Sequence, residues 1–326
     1  MVLSLPALRA VRRGFPEARL AVLVRRELAG FFDGSSWIDE VIPYTARGGM
    51  GRILGIPTLV RALRARRFDA AVLFPTSFES ALWPGLAGIP QRLGYPGDGR
   101  SALLTTRVTA SPDVERTHEV EWYLHLVRAG LGIDAAAEPV APDVHPPHRA
   151  RMQAWLAAHR RRQGRFVALA PGAAYGPAKE WPAAHYAALV DLLAGHDVEA
   201  VLVGAPSERA RCLEVAGTCR AGAPVAAGET SVGELVALLA LADGFAGNDS
   251  GAMHVAGALG RPTVGLFGST SPARTSPLGP RTRVLYEGIE CSPCLARTCR
   301  FGHYDCLRRI APEAVAAALG ELGALG

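Results

Sequence analysis

The sequence predicts an α/β fold of two lobes, each a parallel sheet wrapped by helices, on three observations. Short β-branched runs alternate with Ala, Leu and Arg-rich segments of helical period along nearly the whole chain. The 326 residues exceed the ~100–200 of an ordinary domain. Near the middle, residues 138–148 carry four prolines in eleven positions and read as a linker. The lobes are therefore expected at 1–148 and 149–326.

The first lobe opens with a helix at 6–13, ahead of any strand. A doubly wound lobe normally opens with a central strand, so this one is expected to lack its first β-strand. Strands follow at 19–24 and 40–44, then a helix at 58–67. A buried strand at 70–74 leads through the loop Pro75-Thr-Ser-Phe78 into a helix at 79–87, and such a loop lies at the carboxyl edge of a sheet, where open α/β sheets bind ligands. A helix at 118–129 completes the lobe. In the second lobe, strands at 166–170, 199–203, 244–246 and 263–267 alternate with helices at 183–194, 207–216, 232–241 and 252–259. A last helix, 312–322, has no strand after it and is expected to cross back to the first lobe.

Composition narrows the function classes. Hydrophobic residues make up 49% and charged residues 20%, which excludes a disordered chain or a collagen-like repeat. Apolar runs such as 166–170 are a few residues long and fall far short of the ~20 residues of a membrane span. Residues 1–10 are too short an apolar stretch for a signal peptide and lack a cleavage site, so the chain reads as cytoplasmic. Residues 1–107 hold fifteen Arg against eight Asp and Glu, an excess that suits an anionic partner or is simply a solvated basic face. Nucleic acid fits less well, because zinc-finger spacing and RNA-binding aromatic motifs are missing. Lys179 is the only lysine among 35 basic residues.

That lysine lies in the strongest local motif, Leu169-Ala-Pro-Gly-Ala-Ala-Tyr-Gly-Pro-Ala-Lys-Glu-Trp-Pro182. It follows a strand and opens a helix, with backbone amides free for an anion and Lys179 as a compact charge for a diphosphate. The alternative is a plain loop with an exposed Lys. Gly247-Asn-Asp-Ser-Gly-Ala-Met-His254 likewise joins a strand to a helix, with Asp249 or Ser250 as N-cap and the amides of Gly251 and Ala252 toward a ligand. His254 is a ligand contact or a core histidine. Glu208, after Gly204-Ala-Pro, is placed to accept ribose hydroxyls or to favour a helix dipole.

With Leu5-Pro-Ala-Leu-Arg9, Phe74-Pro-Thr-Ser-Phe-Glu-Ser-Ala81 and Phe267-Gly-Ser-Thr-Ser-Pro272, these motifs cover nearly the whole chain. Together they resemble the bacterial heptosyltransferases, inverting enzymes that build the inner core of lipopolysaccharide. Two lobes facing a cleft are the GT-B architecture. The resemblance implies an ADP-heptose donor in the second lobe, a phosphorylated, heptose-bearing lipid A-core acceptor in the first, and no cofactor for catalysis. It implies that Lys179 holds the donor diphosphate with Tyr175 on the same loop, that Glu208 meets the ribose and that Thr230 lies beside adenine. Asp249, Ser250, Gly251 and His254 surround the diphosphate and sugar, and Ser77 and Phe78 lie on the acceptor side. A lipid-linked acceptor also allows peripheral contact with the cytoplasmic face of the inner membrane. The family's general base is an Asp in a Gly-Asp turn after the first strand, and Met1 stands where the next residue would be. A start called too late, or a fragment, is the expected cause, and no other acid inherits the role by motif. A family member with a different acceptor, or a non-catalytic nucleotide-sugar binder, are the alternative readings.

Six cysteines remain. Cys212 and Cys219 stand apart, while Cys291-x2-Cys294-x4-Cys299-x6-Cys306, with His303 inside it, has spacing that suits a structural zinc in a reducing compartment or a set of free thiols capping a loop.

Overall fold

The computed structural model describes residues 1–45 and 50–326. They divide into two compact units. The first comprises Met1, Leu3–Ala29 and Trp37–Glu138, and the second Val2, Gly30–Ser36 and Pro139–Gly326.

The first unit runs α1 (Leu5–Gly14), β1 (Ala21–Arg25), β2 (Glu40–Tyr44), α2 (Met50–Ala65), β3 (Ala70–Leu73), α3 (Phe78–Ala87), β4 (Gln91–Gly94), β5 (Thr106–Arg107), α4 (Pro112–Arg116) and α5 (Glu119–Leu131). As expected, a helix precedes any strand. The buried face of α1, Leu5, Ala7, Ala10 and Val11, packs on α5. Helix α2 starts well before residue 58 because Pro57 is accommodated inside it. Strands β4 and β5 escape sequence reading, since Gln91-Arg-Leu-Gly94 and Thr106-Arg107 hold no apolar run.

All ladders in this unit are parallel, but they form two sheets, β1–β2 and β3–β4–β5. Among the described residues β1 pairs only with β2, and β3 only with β4. Val24 and Leu73 are the one buried residue of each strand, whereas a parallel strand flanked on both sides is normally buried throughout. Helices α2 and α3 link the two sheets. Leu63, Trp83 and Ala87 share one apolar cluster with Ile42 of β2, joined by Ala21, Leu23 and Ala71.

The second unit runs α6 (Pro146–His159), β6 (Phe166–Ala170), α7 (Ala183–Gly195), β7 (Glu199–Leu202), α8 (Arg209–Thr218), α9 (Val232–Leu241), β8 (Gly244–Asn248), α10 (Gly251–Ala258), β9 (Thr263–Phe267), α11 (Pro272–Thr275), β10 (Thr282–Tyr286), α12 (Asp305–Arg308) and α13 (Pro312–Glu321). The unit begins at Pro139 rather than after His148. Two of the prolines that suggest a linker, Pro146 and Pro147, open α6, where a fixed φ is already helical and no amide bond is lost. Gly30–Ser36 joins this unit, with Asp33 held 2.8 Å from His148 Nε2.

Its five strands form one parallel sheet in the order β10-β9-β8-β6-β7. Every residue of β6, β7, β8 and β9 is buried. Helix α13 belongs to the second unit. Val315, Ala316, Ala318 and Leu319 are buried in the second unit's core, against α7 and strands β8 and β9, because an apolar face rich in alanine fits closely over the sheet. Among the described residues no helix is long and apolar enough to cross a membrane.

Leu319 is fully buried. Leu319→Ala is expected to lower the stability of the second unit by about 2–5 kcal/mol. Hydrogen-exchange mass spectrometry will show faster exchange confined to residues 139–326, and equal loosening of the first unit would mean that the helix serves both.

Candidate functional site

In the second sheet the chain runs from β6 outward to β7, then returns to the other side of β6 for β8 and β9. Loops leaving the carboxyl ends of β6 and β8 therefore diverge and open a crevice between them. The residues singled out after β6 and β8 stand at this switch point.

Asn248, the last residue of β8, organises the place. It is fully buried. Its Oδ1 accepts the Trp181 amide at 3.0 Å and the Tyr186 hydroxyl at 3.1 Å, and its Nδ2 donates to the carbonyls of Pro171 at 2.9 Å and Gly172 at 3.2 Å. One amide thus fixes both ends of the loop 171–182. Trp181 is clamped further by its indole N–H, 3.0 Å from the Ile310 carbonyl. Burial holds the Tyr186 phenol well above its ordinary pKa, so it stays a donor.

That loop delivers Lys179 to Asp249. The ammonium lies 2.6 Å from Asp249 Oδ2, and both side chains are largely buried. The same oxygen accepts Thr270 Oγ1 at 2.8 Å and Thr275 Oγ1 at 3.4 Å, from the segment after β9, and His254 Nε2 lies 3.8 Å from Oδ1. Lys179 also lies 5.0 Å from the centre of the Tyr175 ring, where the π face attracts a cation. Tyr175, Lys179, Asp249 and His254 are thus brought together. Thr270 and Thr275 are the additions that sequence reasoning missed.

Ser250 is the N-cap of α10, but its hydroxyl makes no capping bond and is buried without a partner among the described residues. The first-turn amides, including Gly251, have no intrahelical acceptor, which makes this helix end a site for negative charge. Glu208 spends Oε2 on the Ala205 amide at 2.7 Å. It reaches the loop after β6 through a close approach, since a Cβ on Gly172 would lie 2.6 Å from Glu208 Cγ. Thr230 directly precedes Ser231, which caps α9 through a reciprocal pairing with Glu234. No contact joins Thr230 to the Lys179 cluster among the described bonds.

In the first unit, Ser77 is the N-cap of α3 and Phe78 is 40% exposed, with its amide 2.6 Å from the Asp98 carboxylate.

The cysteine segment borders the site. All six cysteines are free thiols. Cys291, Cys294, Cys299, Cys306 and His303 line one small pocket with Ala178 and Ser269. Burial, reinforced by the three neighbouring sulfurs, pushes the Cys306 thiol up to about 11. Among the described residues no three His, Cys, Asp or Glu side chains are drawn together closely enough to form a metal-ligand group. Only Cys291 and Cys294 form a short knuckle, and Cys299 and Cys306 come from separate turns. What the segment does is brace the Lys179 loop. Tyr175 donates to the Leu295 carbonyl at 2.6 Å, Ala178 N–H to the Arg297 carbonyl at 3.0 Å, and the Arg297 guanidinium lies 5.3 Å from the Tyr175 ring centre.

Removing Asn248 strands several buried groups at once. Asn248→Ala is expected to destabilise the second unit by more than the ~1–3 kcal/mol of a single unsatisfied group. A denaturant titration followed by Trp fluorescence measures it, and an unchanged midpoint would reject the organising role.

Comparison with known proteins gives a consistent picture. The family model described as glycosyltransferase family 9 (heptosyltransferase) matches residues 56–305. Lipopolysaccharide heptosyltransferase 2 of Escherichia coli (strain K12) is 31% identical over 343 aligned positions, covering 100% of this chain and 94% of the relative. The solved E. coli ADP-heptose LPS heptosyltransferase II superposes with a TM-score of 0.84 at 29% identity, covering 99% of this chain and 94% of that one. An E. coli heptosyltransferase solved with ADP shares the fold at a TM-score of 0.73 and 21% identity, over 99% of this chain and 96% of its own. The architecture is the α/β GT-B class.

Proposed function

Because this chain belongs to glycosyltransferase family 9, the heptosyltransferases, we propose that it transfers L-glycero-D-manno-heptose from ADP-heptose to the inner core of lipopolysaccharide, as a heptosyltransferase II. The observation that carries this reading is the pairing of Lys179 with the N-terminal end of α10 at the switch point of the second sheet.

A diphosphate at that helix end accepts from the amides of Gly251 and Ala252 and from the unpartnered Ser250 hydroxyl. Lys179 lies beside it. Asp249 would repel the phosphates if its charge were free, but Lys179, Thr270 and Thr275 hold it. The second oxygen of Glu208 is left for a ribose hydroxyl, Thr230 for the adenine side and His254 for the sugar. The relative solved with ADP supports an adenine nucleotide as the donor half. On the acceptor side stand Ser77 and Phe78, in a unit whose Arg excess suits phosphates, which guanidinium groups bind bidentately.

In the reaction an acceptor hydroxyl oxygen attacks the anomeric carbon, the bond from that carbon to the β-phosphate oxygen breaks, and ADP leaves with the electron pair. The hydroxyl proton passes to a general base, for which the motifs assign no residue of this sequence. Lys179 and the oriented amides stabilise the negative charge that grows on the leaving diphosphate, so the transfer needs no catalytic metal. A lipid-anchored acceptor places the enzyme at the periphery of the inner membrane.

A charge-assisted bond to phosphate contributes about 1.5–3 kcal/mol. Lys179→Ala should therefore weaken ADP binding about tenfold or more in calorimetry, and an unchanged affinity in the folded variant rejects the diphosphate role. Release of ADP from ADP-heptose that depends on a heptose-bearing core acceptor tests the activity itself.

A further inference from the structure

Arg100, in the turn between β4 and β5, is fully buried. Buried guanidinium groups ordinarily face a carboxylate, yet among the described residues none is hydrogen-bonded to this one. Its Nε donates to the Tyr95 carbonyl at 2.9 Å. Its Nη1 donates to the Pro75 carbonyl, to Ser80 Oγ at 2.7 Å and to the Ser77 carbonyl at 3.4 Å. Nη2 is buried with no partner among the described residues. Gly94 makes the room, since a Cβ there would lie 3.0 Å from Nη2.

Two of these four acceptors, the carbonyls of Pro75 and Ser77, belong to the loop between β3 and α3, and a third, Ser80, lies in the first turn of α3. The same turn grips that loop a second time through Asp98, whose carboxylate takes the Phe78 amide at 2.6 Å. Asp98 is also the charge that works against the effect of burial on the guanidinium. A Lys cannot replace this fork, because an ammonium is a point charge on a flexible stem and cannot hold several acceptors in one plane. A neutral residue would spare the burial of a cation. The arrangement keeps the loop in one shape and leaves a positive charge beneath it with no hydrogen-bonded counter-ion.

We propose that Arg100 is the positioning residue of the acceptor side: its guanidinium fixes the loop that presents Ser77 and Phe78, and its charge favours a phosphate on the saccharide that docks there. The inference rests on the acceptor reading above.

The test is calorimetry on Arg100→Lys with three probes: a phosphorylated inner-core oligosaccharide, the same saccharide after phosphatase treatment, and ADP. Loss of the fork should weaken the phosphorylated oligosaccharide about tenfold or more, as for one charge-assisted contact, with ADP affinity within about twofold of wild type. A merely structural role in the first unit would also spare ADP, so the thermal midpoint of that unit is read alongside: a loss of oligosaccharide affinity that comes with a lowered midpoint overturns the proposal, as does an unchanged oligosaccharide affinity in the folded variant. Wild type should also prefer the phosphorylated saccharide over the treated one, and equal affinities overturn the charge argument. If Arg100→Lys does not fold, Ser80→Ala removes one arm of the fork and should cost about threefold for the oligosaccharide and nothing for ADP. No loss there overturns the proposal as well. Wild type that binds ADP but no core saccharide overturns the acceptor reading, and this inference with it. Wild type that binds both, with both variants unaffected, removes Arg100 alone.

Discussion

One buried amide, that of Asn248, sets the shape of the second unit's crevice. It links the end of β8 to both ends of the loop after β6, so neither ladder end can shift without breaking bonds that have no solvent to replace them. Everything chemical about the site is mounted on that junction. The loop carries Tyr175 and Lys179, and the residue after Asn248 is the carboxylate that Lys179 meets. An Asn suits the post better than an Asp, because it offers donors and an acceptor at once without placing a second negative charge beside Asp249.

The Lys179–Asp249 pair follows from this junction and has its own logic. A buried ion pair gains little over apolar packing, but it orients its members. Two threonine hydroxyls and the lysine together use up one oxygen of Asp249, leaving a carboxylate with reduced reach toward an incoming anion. The ammonium gives two of its three donors to Asp249 and is steadied by the Tyr175 ring, which the cysteine segment in turn holds through its backbone. The segment's support is carried by carbonyls of Leu295 and Arg297, so its thiols need no ligand for the bracing itself.

The sequence is most legible where chemistry and local structure coincide. Phe166–Ala170 and Thr263–Phe267 are continuous buried runs, and their limits are readable because a central parallel strand is apolar on both faces. Lys179 stands out as the sole lysine, and Asp249 to His254 as a strand-to-helix turn. Other features depend on partners far along the chain. Thr270 and Thr275 look like ordinary loop residues until β9 brings them beside β8, and Asn248 looks like the first letter of a turn. Pro146 and Pro147 mislead because the same residue that breaks a helix also starts one. Arg100 is invisible in a chain with so many arginines, since only burial distinguishes it.

The two sheets of the first unit carry a last consequence. The second unit is stitched by one sheet of five strands, whereas among the described residues the first relies on helices α2 and α3 to hold a pair and a triplet of strands together. Cooperative opening follows the ladders, so the chain contains foldons of unequal strength. On warming, the five-stranded sheet, whose strands β6 to β9 are buried throughout, is expected to open last.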